Sequence, residues 1–263
     1  MLDLSGKTAV ITGGSGSFGY AIGKSLYYAG SNVILIGRSS EKLKSAVKDV
    51  NKSSGVTFTY EKSDITSEDS LLVSKDKIIN QFKKIDILVT CAAGAAASGK
   101  FEDITSNEWK NLLSTDLDGV FLACKVFGSE MVKNKFGRII NFTSFHNVAT
   151  YPYRTAYNTA KSGVEGLSRA LAVEWGHHNI TVNTIAPGPI LTPRTEWFLN
   201  QDERNPKGML SRTPNVRIGD LDDITSSVLF LASNEAKHIN GQRLVIDGGW
   251  TKNSWWGDHQ ELD

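Results

Sequence analysis

Seven short apolar runs recur along the chain with a polar or amphipathic stretch between each pair, and no other feature narrows the range of folds as much. The runs are TAVIT (8–12), NVILIG (32–37), VTFTYE (56–61), IDILVT (85–90), GRIINFTS (137–144), ITVNTIAP (180–187) and QRLVIDGG (242–249). Several are continuously apolar over four or five residues, the pattern of strands buried on both faces. The stretches between them carry helix start signals: Ser39 or Ser40 before EKLKSAVKDVN, a Thr66–Asp69 capping box, and a Thr105–Glu108 box before WKNLL. Alternation repeated this often predicts parallel βαβ units, hence an α/β fold with one doubly wound parallel sheet flanked by helices on both faces. No linker-like composition, repeat or low-complexity segment divides the 263 residues, so 1–263 is expected to form a single domain.

In such sheets ligands sit beyond the carboxyl ends of the strands. The first run leads into TGGSGSFG, residues 12–19, which can be read in two registers. Gly14, Gly16 and Gly19 make a G-x-G-x-x-G. Thr12-Gly13 with Phe18-Gly19 makes T-G-x-x-x-G-x-G, with Ser17 in place of the middle glycine. Both describe a turn whose bare backbone approaches a pyrophosphate while the next helix points its positive end at the charge, a Rossmann-type dinucleotide site. The second run ends at Gly37, where an NAD-selective site usually has an acid, and is followed by Arg38 and Ser39. Without the acid nothing repels a 2′-phosphate, and a guanidinium binds one in a forked geometry. NADP(H) is therefore favoured, with NAD(H) the alternative.

Two Tyr-x-x-x-Lys pairs occur, Tyr20–Lys24 and Tyr157–Lys161. Only the second has a serine placed to assist it, Ser144 at the end of the fifth run; Lys7 stands at the equivalent offset from Tyr20. Tyr20 is read as structural. On a helix, positions four apart share a face, which sets Lys161 beside Tyr157. A free phenol titrates near pH 10, too high for ready proton exchange at neutral pH. A unit positive charge about 4 Å away, at an effective dielectric near 20, stabilises a phenolate by roughly 4 kcal/mol.

With these motifs, Asp64-Ile65, ILVTCAAG, NTIAPGPILT and VIDGG, the chain resembles the short-chain dehydrogenase/reductase family over essentially its full length. The resemblance selects the second register of the glycine loop. It implies that Tyr157 exchanges a proton with the substrate oxygen, that Ser144 hydrogen-bonds the same oxygen, and that Lys161 also holds the nicotinamide ribose. It implies a cofactor surface of Gly13, Ser15, Ser17, Phe18, Gly19, Arg38, Ser39, Asp64, Ile65, Cys91, Ala92, Ala93, Gly94, Tyr157, Lys161, Pro187, Gly188, Ile190 and Thr192, with Ile190 and Thr192 at the carboxamide. Two departures stand out. Should the site of Ser17 need a left-handed backbone, serine there costs on the order of 1–2 kcal/mol. Asp116 occupies the place where the family often has asparagine, and joins Ser144, Tyr157 and Lys161 as a catalytic candidate.

Residues 189–212 contain no clear strand and are expected to form a substrate lid. Candidate substrate contacts are His146, Asn147, Arg154, Arg194 and Trp197, with Phe198 beside them; an arginine facing a substrate carboxylate is one expectation. The tail from about 250 to 263 carries Trp250, Trp255 and Trp256, expected to pack on a neighbouring subunit or else over the chain's own site. The resemblance implies a homotetramer or homodimer.

Twenty-nine basic against 28 acidic side chains leave a net charge of +1, no electrostatic footprint for nucleic acid or an anionic membrane. No run approaches the roughly 18 apolar residues of a membrane span. Nor does the opening segment, MLDLSGKTAVITGG, read as a secretory signal. Cys91 and Cys124 suit a reducing compartment, so a cytoplasmic location is expected. His177 and His178 stand apart from any acidic or cysteine cluster and are read as helix-end cations, with no metal site foreseen. The function expected is hydride transfer between a nicotinamide cofactor and a small carbonyl or secondary alcohol, a sugar acid, polyol or ketone. Segments resembling 2,4-dienoyl-CoA reductases leave an acyl-CoA thioester reductase as the alternative, and a dinucleotide sensor without turnover as a third.

Overall fold

The structure, a computed structural model, describes residues 2–48, 50, 55–94, 98–202 and 204–254. Each apolar run forms a strand: β1 (Thr8–Thr12), β2 (Asn32–Gly37), β3 (Phe58–Lys62), β4 (Ile87–Thr90), β5 (Gly137–Phe142), β6 (Ile180–Pro187) and β7 (Arg243–Ile246). All pair in parallel, in the order β3-β2-β1-β4-β5-β6-β7. Where a strand is shorter than its apolar run, a polar side chain has taken over. Asp86 stays out of β4 because its carboxylate accepts the Thr8 amide at 2.9 Å. The chain leaves β7 after Ile246 because the Asp247 carboxylate accepts the amides of Gly249 and Thr251 at 2.9 and 2.8 Å, folding the backbone into a turn.

Nine helices are present among the described residues: α1 (Ser17–Tyr28), α2 (Ser40–Lys48), α3 (Glu68–Phe82), α4 (Ser106–Leu113), α5 (Gly119–Asn134), α6 (Thr155–Trp175), α7 (Pro193–Leu199), α8 (Arg204–Arg212) and α9 (Leu221–Ala232). Alternate strand side chains feed two cores. Ala9, Ile11, Val33, Leu35, Ile87 and Val89 pack with α1 and α9 through Ile22, Leu26, Ile224 and Val228. Val10, Ile34, Ile36 and Leu88 pack on the other face with α3, α5 and α6 through Leu71, Ile78, Phe127 and Val164. Each such side chain contributes about 1.5–3 kcal/mol by leaving water, which explains the two-sided apolar pattern. No helix among the described residues is long and apolar enough to cross a membrane.

The Thr105–Glu108 capping box forms as expected. The Thr66–Asp69 box does not: Ser67 caps α3 by accepting the Ser70 amide at 3.2 Å, while Thr66 turns back to donate to Asp64. Ser39, rather than Ser40, accepts the Lys42 amide that opens α2. The 189–212 segment holds two helices, α7 and α8, and Ile190 bridges in parallel to Gly219.

The strand order reverses between β1 and β4, so their carboxyl ends diverge into a crevice. Gly13 sits at that mouth with φ +69°, and a Cβ there would lie 2.7 Å from both the Cα and the amide nitrogen of Ala92. Ser17, by contrast, is the first residue of α1, in right-handed helical conformation, so the left-handed penalty considered for it does not arise. Gly13→Ala combines a disfavoured backbone with a collision against the neighbouring loop. It is expected to lower stability by about 2–4 kcal/mol and to abolish dinucleotide binding, as urea unfolding and cofactor titration will show.

Candidate active site

Tyr157, Lys161 and Asp116 come together from two elements, and Ser144 follows a third, its turn carrying His146 up to Tyr157. Ser144 follows β5 in extended conformation (φ −157°, ψ 152°), and its hydroxyl accepts the His146 amide at 3.3 Å, capping a short turn over Phe145–Asn147. Tyr157 and Lys161 lie on successive turns of α6, and the Lys161 Nζ is 5.7 Å from the centre of the Tyr157 ring. That ammonium is 3% exposed. It donates toward the Phe142 carbonyl at 3.5 Å and faces the Asp116 Oδ2 at 3.5 Å. Asp116 gets there because the chain between α4 and α5 widens into a π-helical turn, Ser114–Asp118, which turns the carboxylate inward. Its Oδ1 accepts the Gly94 amide at 2.6 Å, so one carboxylate ties the loop after β4 to the lysine.

Polar braces fix α6 against the sheet. The Asn147 amide donates to the Lys161 carbonyl and to Glu165, both at 3.0 Å, and Arg169 and Arg243 hold Glu165 from outside. Fully buried Asn141 on β5 accepts from Thr90 at 2.8 Å and donates to Ser168 at 2.9 Å, linking β4, β5 and α6.

On the substrate side an aromatic wall runs away from Tyr157. His146 meets Tyr157 edge-on at 5.9 Å between ring centres and Tyr151 at 4.8 Å. Tyr151 meets Trp250 at 5.5 Å, and Phe145 touches both. Arg212, the last residue of α8, lies over Trp250 at 4.5 Å. Burial, with the charge of Arg154 adding to it, holds the His146 imidazole well below its ordinary value, at about 4.

On the cofactor side, the bare loop at Gly13 and the first-turn amides of α1, which have no partner within their helix, converge at the β1/β4 crevice. The Cys91 amide donates to the Thr12 carbonyl at 3.2 Å, holding the two strand ends together. Arg38 is exposed just past β2. Asp64, after β3, is kept below the usual carboxylate range chiefly by the Thr66 amide, with Arg38 contributing. These features fit a nicotinamide dinucleotide whose diphosphate rests on α1.

The comparisons agree with this geometry. The family model described as Enoyl-(Acyl carrier protein) reductase matches residues 13–251. The chain is a short-chain dehydrogenase/reductase. It is 34% identical to 2-dehydro-3-deoxy-D-gluconate 5-dehydrogenase of Bacillus subtilis (strain 168), over 94% of this chain and 95% of that one. It is 33% identical to the 3-oxoacyl-[acyl-carrier-protein] reductase FabG of Chlamydia muridarum, over 94% and 98%. A solved gluconate 5-dehydrogenase from Burkholderia cenocepacia J2315, in complex with NADP and tartrate, superposes with a TM-score of 0.87 at 27% identity, covering 95% of this chain and 97% of that one. The protein is accordingly an oxidoreductase of CH–OH and C=O groups.

Within this dehydrogenase/reductase the residues singled out by the sequence take the following places. Asn147 spends both amide hydrogens bracing α6 instead of facing substrate. His146, 8% exposed, is part of the wall. Arg194 is exposed on α7, and Trp197 there is 65% exposed; no hydrogen bond, ion pair or ring contact among the described residues joins either to Ser144, Tyr157 or Lys161. Thr192 accepts the Thr195 amide as the cap of α7, and Ile190 is buried. Trp250 is buried against Phe145 and Tyr151 of its own chain, not on a neighbouring subunit, while Trp255 and Trp256 lie outside the described residues. His177 and His178 lie in the turn that closes α6, with ring centres 3.8 Å apart and planes tilted by 42°. Sequence reasoning missed Tyr151, Arg212, Glu165 and Asn141; their types are common and only folding brings them to the site.

A histidine that titrates near 4 in the folded protein and near 6.5 unfolded binds its proton more readily when unfolded. It therefore leaves stability unchanged above about pH 6.5 and lowers it progressively from 6.5 to about 4. Urea midpoints measured across that window are expected to fall more steeply for the native protein than for His146→Phe; equal slopes would contradict a buried neutral imidazole.

Proposed function

We propose that this enzyme interconverts a secondary alcohol and its carbonyl using NADP(H), on a sugar acid, polyol or other small ketone. The observation that carries it is the Lys161 ammonium, buried between Asp116 and the Phe142 carbonyl one turn from Tyr157. The nicotinamide, when bound, supplies or accepts the hydride. Gly13, Ser15, Ser17, Phe18 and Gly19 would hold its diphosphate; Arg38, Ser39, Asp64 and Ile65 the adenosine half; Cys91 to Gly94, Lys161, Pro187, Gly188, Ile190 and Thr192 the nicotinamide half. In the reductive direction Tyr157 gives its phenolic proton to the carbonyl oxygen, and Lys161 stabilises the phenolate left behind. Ser144 donates a hydrogen bond to that oxygen. Asp116 is a positioning residue, holding the ammonium and the Gly94 loop at once. The acid-free end of β2, with Arg38 exposed beside it, supports preference for the 2′-phosphate.

The FabG relative favours a second reading, a 3-oxoacyl thioester reductase, which uses the same proton and hydride chemistry on a longer substrate, while the family model's description favours an enoyl thioester, which takes its hydride at a C=C bond. Assays with 5-keto-gluconate, fructuronate, acetoacetyl-CoA and a dienoyl-CoA separate them. The segment 189–212 is proposed as the lid. Exposed Phe230 on α9, Leu244 on the edge strand β7 and Val173 on α6 support assembly as a homotetramer or homodimer. The two free cysteines support a cytoplasmic location.

Tyr157→Phe is expected to retain dinucleotide affinity and lose about 10²–10⁴-fold in turnover; undiminished turnover would refute the assignment. Arg38→Ala is expected to weaken NADPH binding by about 10- to 100-fold and leave NADH nearly unaffected, a difference read by steady-state kinetics with each cofactor.

A further inference from the structure

The aromatic wall ends in two cations from different elements. Arg154 occupies the N-cap position of α6, one turn before Tyr157, and makes no side-chain cap there. Arg212 comes from α8 in the proposed lid. Arg212 reaches the wall at Trp250, which meets Tyr151, and Arg154 follows Tyr151 by three residues; burial pushes the Tyr151 phenol up, and the charges of Arg212 and Arg154 oppose it. Neither forms an ion pair among the described residues. The protein contact of Arg154 is a hydrogen bond to the Ser98 hydroxyl at 2.7 Å, which steadies the fork and leaves most of its N–H groups available. The Arg212 guanidinium rests on the Trp250 face. Two buried polar atoms of this same wall, His146 Nδ1 and Trp250 Nε1, have no protein partner, which is unusual for a finished interior.

We propose that Arg154 and Arg212 form a carboxylate subsite, making the substrate a hydroxy or keto acid whose carboxylate lies along the wall from the reacting carbon. This rests on the placement of Tyr157 as the proton-transfer group. Only two ring contacts, of 5.9 and 4.8 Å, separate Tyr157 from Tyr151. That is the reach of a short carbon chain rather than of a pantetheine arm ending in phosphates. A guanidinium pair takes a carboxylate through parallel N–H···O bonds. Because one arginine belongs to the catalytic helix and the other to the lid, the acid itself draws the lid toward the site. Arg194, the other candidate raised by the sequence, stays exposed on α7.

The test compares acids with neutral partners of the same carbon skeleton: D-gluconate with D-glucitol, and 3-hydroxybutyrate with 1,3-butanediol. Binding to the full-length protein saturated with NADPH is read by calorimetry; an alcohol and the reduced cofactor form a dead-end complex, so no hydride is transferred. At least one acid is expected to bind ten-fold or more tightly than its neutral partner. Arg154→Gln and Arg212→Gln are each expected to weaken that acid by about 10- to 100-fold, collapsing the ratio. Arg212→Lys keeps the charge and the packing stem over Trp250 and is expected to fall between, so a fold defect in the glutamine variant cannot decide the result. Tyr157→Phe should keep the preference for the acid, which separates this subsite from the proton-transfer assignment. Equal affinity for acids and neutral partners in the native protein, a preference that survives both arginine changes, or an effect seen with acetoacetyl-CoA alone would overturn the proposal.

Discussion

The site is organised around a buried ammonium. Taking a charged amine out of water is expensive, and breaking a buried pair by removing one partner commonly costs about 3–5 kcal/mol. Lys161 is tolerable where it is because Asp116 and the Phe142 carbonyl face it. That requirement reaches outward. It needs the π-helical turn that swings Asp116 inward, the Gly94 amide that holds its second oxygen, and the Asn147 and Glu165 brace that sets the height of α6. Once these are in place, the position of Tyr157 on the same helix follows from helical geometry alone.

Asparagine in place of Asp116, as the family often has, would leave the ammonium facing a dipole instead of a charge. Here the carboxylate accepts a backbone amide with one oxygen and faces Lys161 with the other, so a single side chain couples the loop beside the crevice to α6. The departure from the family pattern is thus a different way of stabilising the same cation. Ser17 departs more quietly: as the first residue of α1 it needs no unusual backbone, and Gly13 carries the left-handed position.

The sheet was legible in the amino-acid sequence because burial on both faces demands unbroken apolar runs, and β1, β2 and β6 start and stop where those runs do. The pairing on α6 was legible for a related reason: Tyr157 and Lys161 are neighbours by helical spacing, and Ser144 comes just after the strand before them. The substrate side was not. Asn147, adjacent to the site in sequence, turned out to be a brace because a short turn after Ser144 aims its amide at α6. Tyr151, Arg212 and Trp250 meet across long sequence separations, through ring faces and a guanidinium stack that leave no periodic trace. Residues 189–212 likewise gave no strand pattern, because helices α7 and α8 are short and mostly exposed.

Gly248 and Gly249, both with positive φ, let the turn after β7 lie directly against the stretch that follows α8. A Cβ on Gly248 would come within 2.8 Å of Thr213, and one on Gly249 within 3.1 Å of Pro214. Asn253 then donates to the Arg212 carbonyl at 3.1 Å. The last described turn and the far end of α8 are therefore one mechanical unit, a clasp whose two halves are some forty residues apart in the chain. A change at Gly248, Gly249 or Asn253 is therefore felt at the far end of α8, across a joint that no stretch of the sequence advertises.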